Sequence, residues 1–132
     1  MARILLVDDE TSILDPLRDF LIKIEHEVVG MALSGEESVS LARELKPDLV
    51  VMDIRLPGEI DGIDAAGIIK KDLGIPTIFI TGHIRGDYID RARQLDPLGF
   101  ILKPFKMSEV QAAIEIALQK ALRIPDASAQ EE

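Results

Sequence analysis

Five short apolar runs alternate with longer segments in which apolar residues recur at helical spacing. Runs such as LVVM and TIFI show no polar alternation, which indicates strands buried on both faces of a parallel sheet. The predicted strands are Arg3–Asp8, Glu27–Ala32, Asp48–Asp53, Pro76–Thr81 and Gly99–Leu102. Strand and helix therefore alternate five times, which predicts an open, doubly wound α/β domain.

Capping signals support the helical segments. Ser34 is followed three residues on by Glu37, which predicts a capping box at the start of the second helix. Ser108 and Gln111 predict a similar box for the last helix, whose apolar face is the clearest in the chain. The segment from Arg85 to Leu95 is more polar and is a weaker helix prediction.

Length and composition limit the class of protein. The 132 residues suit one domain, and with 47% hydrophobic but only 4% aromatic residues the core must consist of aliphatic side chains. We predict this domain over residues 1–124, and a flexible acidic tail or linker stub over residues 125–132. The absence of cysteine excludes disulfides and thiolate metal sites, and favours a cytoplasmic location.

The net charge narrows the choice of partners. The chain carries 24 acidic and 15 basic residues, a formal charge of -9, which repels nucleic acid and anionic lipid. Acidic residues begin at Asp8, too early in the chain for the apolar core of a signal peptide. No apolar run approaches the roughly 18 residues that a membrane-spanning helix needs. We therefore expect neither nucleic-acid nor membrane binding by this chain.

Polar residues follow four of the predicted strands. Asp8 and Asp9 end the first strand, Asp53 the third, Thr81 the fourth and Lys103 the fifth. Ligands of open α/β sheets bind outside the carboxyl ends of the strands, so these groups are predicted to converge on one site with an apolar floor. Singly, each residue has a structural alternative, such as an aspartate that caps the next helix. Their joint placement favours a site.

The chemistry of this set indicates phosphoryl transfer. Clustered carboxylates need a counter-charge, which Lys103 supplies in part and a divalent cation would complete. Carboxylate oxygens suit Mg²⁺, whereas no cluster of histidine or cysteine favours zinc. An aspartate at such a metal can act as a nucleophile toward phosphorus, while Lys103 and Thr81 hold the phosphoryl oxygens.

At these residues the chain resembles the response-regulator receiver domain of two-component signalling, the CheY-like family. The matching segments are ILLVDDE, PDLVVMDIRLPG followed by DG, PTIFITG and GFILKPF, in family order, and the resemblance covers about residues 2 to 122. It implies a flavodoxin-like (βα)5 fold with strand order 2-1-3-4-5. It also implies that Asp53 is the phosphoacceptor and that Mg²⁺ is held by Asp8, Asp9, Asp53 and the backbone carbonyl of Arg55. Thr81 and Lys103 correspond to the groups that sense the phosphoryl group, and Phe100 to the aromatic switch. The resemblance further implies a cis peptide bond between Lys103 and Pro104.

The chain departs from the family pattern in several places. PGEIDG is one residue longer than the commonest form of its loop, and Phe100 replaces a frequent tyrosine. Arg55 and His83 occupy positions that modulate the lifetime of the phosphoaspartate in this family. We hypothesise that Arg55 covers the acyl phosphate and slows its hydrolysis; the alternative is a surface ion pair with Glu59 or Asp61.

The resemblance implies a signalling switch rather than an enzyme, although the domain assists its own phosphorylation and dephosphorylation. The phosphoryl donor would be a sensor histidine kinase or a phosphotransfer protein. The readout would be the surface of the fourth helix, fifth strand and fifth helix, where a homodimer is one option. Ile116 and Leu122 lie off the core stripe of the last helix and are either part of such a face or tolerated surface residues.

Four alternatives remain open at this stage. The chain could be a pseudo-receiver that works as a phosphorylation-independent interaction module, or a receiver fragment of a larger hybrid kinase rather than a stand-alone protein. A haloacid dehalogenase-type phosphatase would place Asp-x-Asp after the first strand, where this chain has adjacent acids. A flavodoxin-like nucleotide-binding module would need a glycine- or Ser/Thr-rich phosphate loop there instead.

Overall fold

Strands and helices alternate in a computed structural model that describes residues 1–82 and 86–130, with side chains up to residue 121. The strands are β1 (Arg3–Val7), β2 (Glu27–Ala32), β3 (Leu49–Asp53), β4 (Thr77–Thr81) and β5 (Gly99–Leu102). The helices are α1 (Thr11–Lys23), α2 (Gly35–Leu45), α3 (Gly62–Leu73), α4 (Gly86–Gln94) and α5 (Met107–Gln130). The sheet is parallel with order β2-β1-β3-β4-β5, so the predicted fold class is confirmed.

The sheet separates two apolar layers because successive strand residues point to opposite faces. On one face, which we call the α1/α5 face, Ile4, Leu6 and Val51 pack with α1 and α5. On the other, the α2–α4 face, Leu5 and Val7 pack with α2, α3 and α4. All five side chains are essentially buried. Burial of each such aliphatic side chain stabilises the fold by about 1.5–3 kcal/mol.

The capping prediction at α2 is confirmed in part. The Ser34 hydroxyl accepts a hydrogen bond from the Glu37 backbone N–H at 3.1 Å, as predicted. The Glu37 carboxylate accepts from the N–H of Leu33 at 2.7 Å rather than from that of Ser34. The helix start is therefore held from both sides, but the reciprocal bond reaches one residue further back than in a standard box.

The capping prediction at α5 is wrong. The helix begins at Met107, and the N–H of Lys106 donates to the carboxylate of Glu109 at 2.7 Å, which makes Ser108 a residue of the first turn. The backbone of α5 continues to Gln130, beyond the point where composition favoured an irregular tail, and the division at residue 124 stays a prediction. Within the described part of the chain, no helix is long and apolar enough to cross a membrane.

The long loop between β3 and α3 is held in its middle and at its end. The Glu36 carboxylate of α2 accepts from the N–H of Glu59 at 2.8 Å, which fixes the middle of the PGEIDG segment. At the end of the loop the N–H of Gly62 donates to the carbonyl of Ile54 at 2.8 Å. A Cβ at Gly62 would lie 1.9 Å from the carbonyl oxygen of Asp53, so only glycine allows this approach.

Replacement of Gly62 by alanine is therefore expected to destabilise the fold by about 3 kcal/mol or to prevent folding, because the added methyl must displace backbone atoms of β3. Urea unfolding followed by circular dichroism measures this.

The matched control is Gly67→Ala in the same helix, where a Cβ would sit 3.5 Å from Leu95, an ordinary contact. This change is expected to stabilise the protein by about 0.5–1 kcal/mol, since alanine favours the helix. Equal effects of the two substitutions would contradict the close approach at Gly62.

Candidate functional site

The acids lie at the carboxyl edge of the sheet, at the ends of β1 and β3. Asp8 continues the β1 ladder through an N–H bond to the carbonyl of Ala32 at 3.1 Å, and its side chain is only 1% exposed. Asp53 is the last residue of β3 and is 5% exposed. Asp9 and Glu10 follow Asp8 and are exposed. The predicted convergence of these groups is present in the structure.

Lys103 connects the acids. Its backbone N–H donates to the carbonyl of Thr81 at 2.9 Å, which extends β5 by one residue, and its peptide bond to Pro104 is cis. The Lys103 Nζ lies 3.1 Å from Asp8 Oδ2, 3.4 Å from Asp53 Oδ2 and 3.3 Å from Glu10 Oε1. One ammonium group thus contacts three carboxylates.

Burial and mutual repulsion change the protonation of the site. Burial and the charge of Asp8 raise the pKa of Asp53 from 3.8 to about 6, although Lys103 and the backbone N–H of Arg55 act in the opposite direction. Burial alone would lower the pKa of Lys103. The close ion pair with Asp8 and the charge of Asp53 outweigh that effect, and the pKa of Lys103 lies above its ordinary value.

The donor set fits a hard divalent cation. Carboxylate oxygens of Asp8, Asp9 and Glu10 all lie within 4.8 Å of one another. Asp8 Oδ2 is buried and, among the described residues, has no hydrogen-bond partner of acceptable geometry despite its ion pair with Lys103. The predicted ligand set overlaps this group at Asp8 and Asp9. Glu10 was missed as a site residue, and its signal was the third consecutive acid in the DDE segment.

Thr81 and Phe100 lie on the other face of the sheet. Thr81 follows Phe79 by two residues on β4, and both are buried on the α2–α4 face. The ring of Phe100 on β5 packs against that of Phe79, with centroids 5.9 Å apart and planes tilted by 31°. The hydroxyl and the aromatic ring therefore share one face, whereas Asp8, Asp53 and Lys103 extend the rows of side chains on the α1/α5 face.

Arg55 borders the cavity above the site. This cavity of about 270 Å³ is lined by Asp9, Glu10, Asp53, Arg55, Thr81, Gly82 and Lys103. The Arg55 guanidinium lies over the ring of Tyr88 in α4, 5.9 Å from its centroid. Asp61, one of its candidate ion-pair partners, is bonded to Arg91 at 3.0 Å. His83, the other predicted modulator, lies outside the described residues.

Comparison with known proteins settles the family. The model of the response regulator receiver domain matches residues 4–115. The chain belongs to the response regulator receiver family. It is 38% identical over 113 residues to the chemotaxis protein CheY of Thermotoga maritima, covering 85% of this chain and 93% of that protein. The predicted family membership is thereby confirmed.

The chain is also similar to parts of larger proteins. The chain is 38% identical over 118 residues to the transcriptional regulatory protein PdtaR of Mycobacterium tuberculosis, covering 89% of this chain but 57% of PdtaR, so it spans little more than half that relative. The receiver domain of a modulated diguanylate cyclase from Desulfovibrio desulfuricans G20 superposes with a TM-score of 0.86 at 31% identity, covering 92% of this chain and 96% of that one. Receiver domains are signalling switches that interact with histidine kinases or phosphotransfer proteins.

Neutralising Asp53 is expected to stabilise the metal-free protein at about pH 7.5. Because the pKa of Asp53 is raised from 3.8 to about 6, the folded chain binds this proton more tightly than the unfolded chain. The stability that the bound proton contributes is therefore lost as the pH rises from about 4 through 6. Asp53→Asn avoids this loss and should raise the free energy of unfolding by about 3 kcal/mol at pH 7.5.

Denaturant unfolding of both proteins between about pH 4 and pH 8 measures the difference, which should shrink toward zero at the acid end. Asp90→Asn, at an exposed position of α4, is the matched control for the change of charge. A stability difference that does not depend on pH would contradict the raised pKa of Asp53.

Proposed function

We propose that this receiver domain accepts a phosphoryl group on Asp53 from a sensor histidine kinase or a phosphotransfer protein, in a reaction that requires Mg²⁺. The observation that carries the proposal is the buried Asp53 carboxylate at the sheet edge, 3.4 Å from Lys103 Nζ and beside the acids that follow β1. A carboxylate oxygen of Asp53 attacks phosphorus, the bond from phosphorus to the donor imidazole nitrogen breaks, and an acyl phosphate forms.

Asp8, Asp9, Asp53 and the backbone carbonyl of Arg55 would hold the cation, with Glu10 close enough to contribute through water. When bound, Mg²⁺ neutralises charge on the phosphoryl oxygens and orients them for in-line attack. The residues of the chain itself supply the rest. The buried floor excludes water. The ammonium of Lys103 moves from a carboxylate oxygen to a phosphoryl oxygen, and both of these partners are negatively charged.

The switch is proposed to run through Thr81 and Phe100. A hydroxyl at the end of β4 can donate to a phosphoryl oxygen, and its movement vacates space on the α2–α4 face that Phe100 shares. Phosphorylation would then shift an existing equilibrium between two arrangements of α4, β5 and α5. Leu102 and Ile116 are 48% and 53% exposed, which suits a partner or homodimer surface there; the side chain of Leu122 lies outside the described residues.

Phosphorylation is tested by incubating the protein with Mg²⁺ and acetyl phosphate and measuring the intact mass. We expect one added phosphoryl group, which should not form when Mg²⁺ is chelated beforehand and should be absent from Asp53→Asn. Asp48→Asn, near the opposite end of β3, is the matched control and should be modified normally.

Failure of the intact protein to bind Mg²⁺ or acquire phosphate would contradict the proposal and favour a phosphorylation-independent interaction module. Modification that persists in Asp53→Asn would assign the phosphoacceptor to another residue.

The role of Arg55 is tested separately through the lifetime of the phosphoaspartate. Because Arg55 borders the cavity at Asp53 and is held over Tyr88, we propose that it limits the access of water to the acyl phosphate. Arg55→Ala should shorten the lifetime about fivefold, measured as decay of the phosphorylated mass after removal of the donor.

Arg43→Ala is the matched control, since Arg43 is paired with Asp72 at 2.8 Å on the α2 and α3 surface. Tyr88→Leu should give part of the effect, because it removes the ring over which the guanidinium lies. An unchanged lifetime in Arg55→Ala would contradict the covering role.

A further inference from the structure

A second cavity lies at the amino edge of the sheet, opposite the phosphoacceptor site. Its volume is about 620 Å³, within the range of pockets that hold small molecules. It is bounded by Thr77 and Phe79 of β4, by Ala66 of α3 and by Leu95 and Leu98 of the connection between α4 and β5. Thr77 and Thr81 are the first and last residues of β4, so the two sites lie about 13 Å apart along the strand.

The cavity contains an unsatisfied polar group. Thr77 is only 5% exposed, and its Oγ1 is buried without a hydrogen-bond partner among the described residues. A buried hydroxyl without a partner costs about 1–3 kcal/mol, so native structures usually supply a partner in protein, water or ligand. A molecule that reached this oxygen from the cavity would supply the missing partner.

Two lysines stand at the wall of the same cavity. Lys70 of α3 donates to the carbonyl of Leu95, and Lys120 of α5 donates to the carbonyl of Leu98 at 3.2 Å. An ammonium group has three donors, so one bond to a carbonyl leaves donors for a ligand. Among the described lining residues, Asp96 is the acid beside these two lysines, which gives one net positive charge on a chain whose overall charge is -9.

We propose that this cavity binds a small organic carboxylate with an apolar body. The side chains of Pro76, Leu95 and Pro97 receive the apolar part, while Lys70 and Lys120 bind the carboxylate. The Thr77 hydroxyl supplies the remaining polar contact. Charge complementarity favours an anion over a neutral ligand of equal size, and the apolar wall favours it over a simple inorganic anion.

The proposal is tested on the full chain with octanoate as the probe and octanol as its uncharged counterpart, by titration of amide signals in nuclear magnetic resonance spectra. We expect shifts confined to the neighbourhood of Ala66, Thr77 and Leu95–Leu98, and an affinity for octanoate about tenfold higher than for octanol. Equal affinities, shifts spread over the surface, or no binding of octanoate at millimolar concentration would overturn the proposal.

Single substitutions test which residues make the cavity prefer octanoate over octanol. Lys70→Met and Lys120→Met retain apolar stems and should each reduce octanoate affinity severalfold while leaving octanol binding unchanged. Lys71→Met, the neighbouring exposed position of α3 that does not line the cavity, is the matched control and should bind octanoate normally. Thr77→Val, which keeps the shape of the side chain, should weaken octanoate binding about fivefold. Octanoate affinity unchanged in all three cavity variants would overturn the assignment.

Discussion

The contact of one ammonium group with three carboxylates is the interaction on which the functional edge of this molecule depends. Asp8 and Asp53 are buried at the ends of neighbouring strands, where their charges repel one another. The Lys103 Nζ lies within 3.4 Å of both and so compensates charges that the apolar floor cannot solvate. The hydrogen bond from the backbone N–H of Lys103 to the carbonyl of Thr81 holds β5 beside β4. The backbone position of this cation is therefore fixed by the sheet.

Much of this arrangement could be predicted from the sequence because it follows from strand order. The run LVVM is followed by an aspartate. Its apolar residues must be buried on both faces of the sheet, so the aspartate must lie at the carboxyl edge. Asp8, Asp9, Thr81 and Lys103 reach that edge for the same reason, since each follows or ends a strand. Strand order brings these residues together, so their convergence needed no knowledge of side-chain conformation.

The features that could not be predicted depend on which of several equivalent partners a side chain selects. Glu10 was overlooked because an exposed glutamate after two aspartates looks like an ordinary helix start, although it lies beside Asp8 and Asp9 and contacts Lys103 across the sheet edge. The start of α5 was misplaced because Ser108 was predicted to cap the helix, whereas the Glu109 carboxylate accepts the bond from the N–H of Lys106. The hydrogen bond between the Glu36 carboxylate and the N–H of Glu59 likewise joins residues that lie far apart in the sequence, so the sequence pattern did not predict it.

The division of the sheet into two faces has a consequence for how the site tolerates change. Asp8, Asp53 and Lys103 belong to the rows that pack on α1 and α5, whereas Thr81 and Phe100 belong to the rows that pack on α2, α3 and α4. The sheet separates these two packing environments along the strands, and the charged groups and the hydroxyl meet at the carboxyl edge. Substitutions behind the charged half and behind the hydroxyl half therefore have few shared neighbours, and their energetic effects should add. The two halves of one reaction centre can thus diverge independently, each constrained by its own apolar layer.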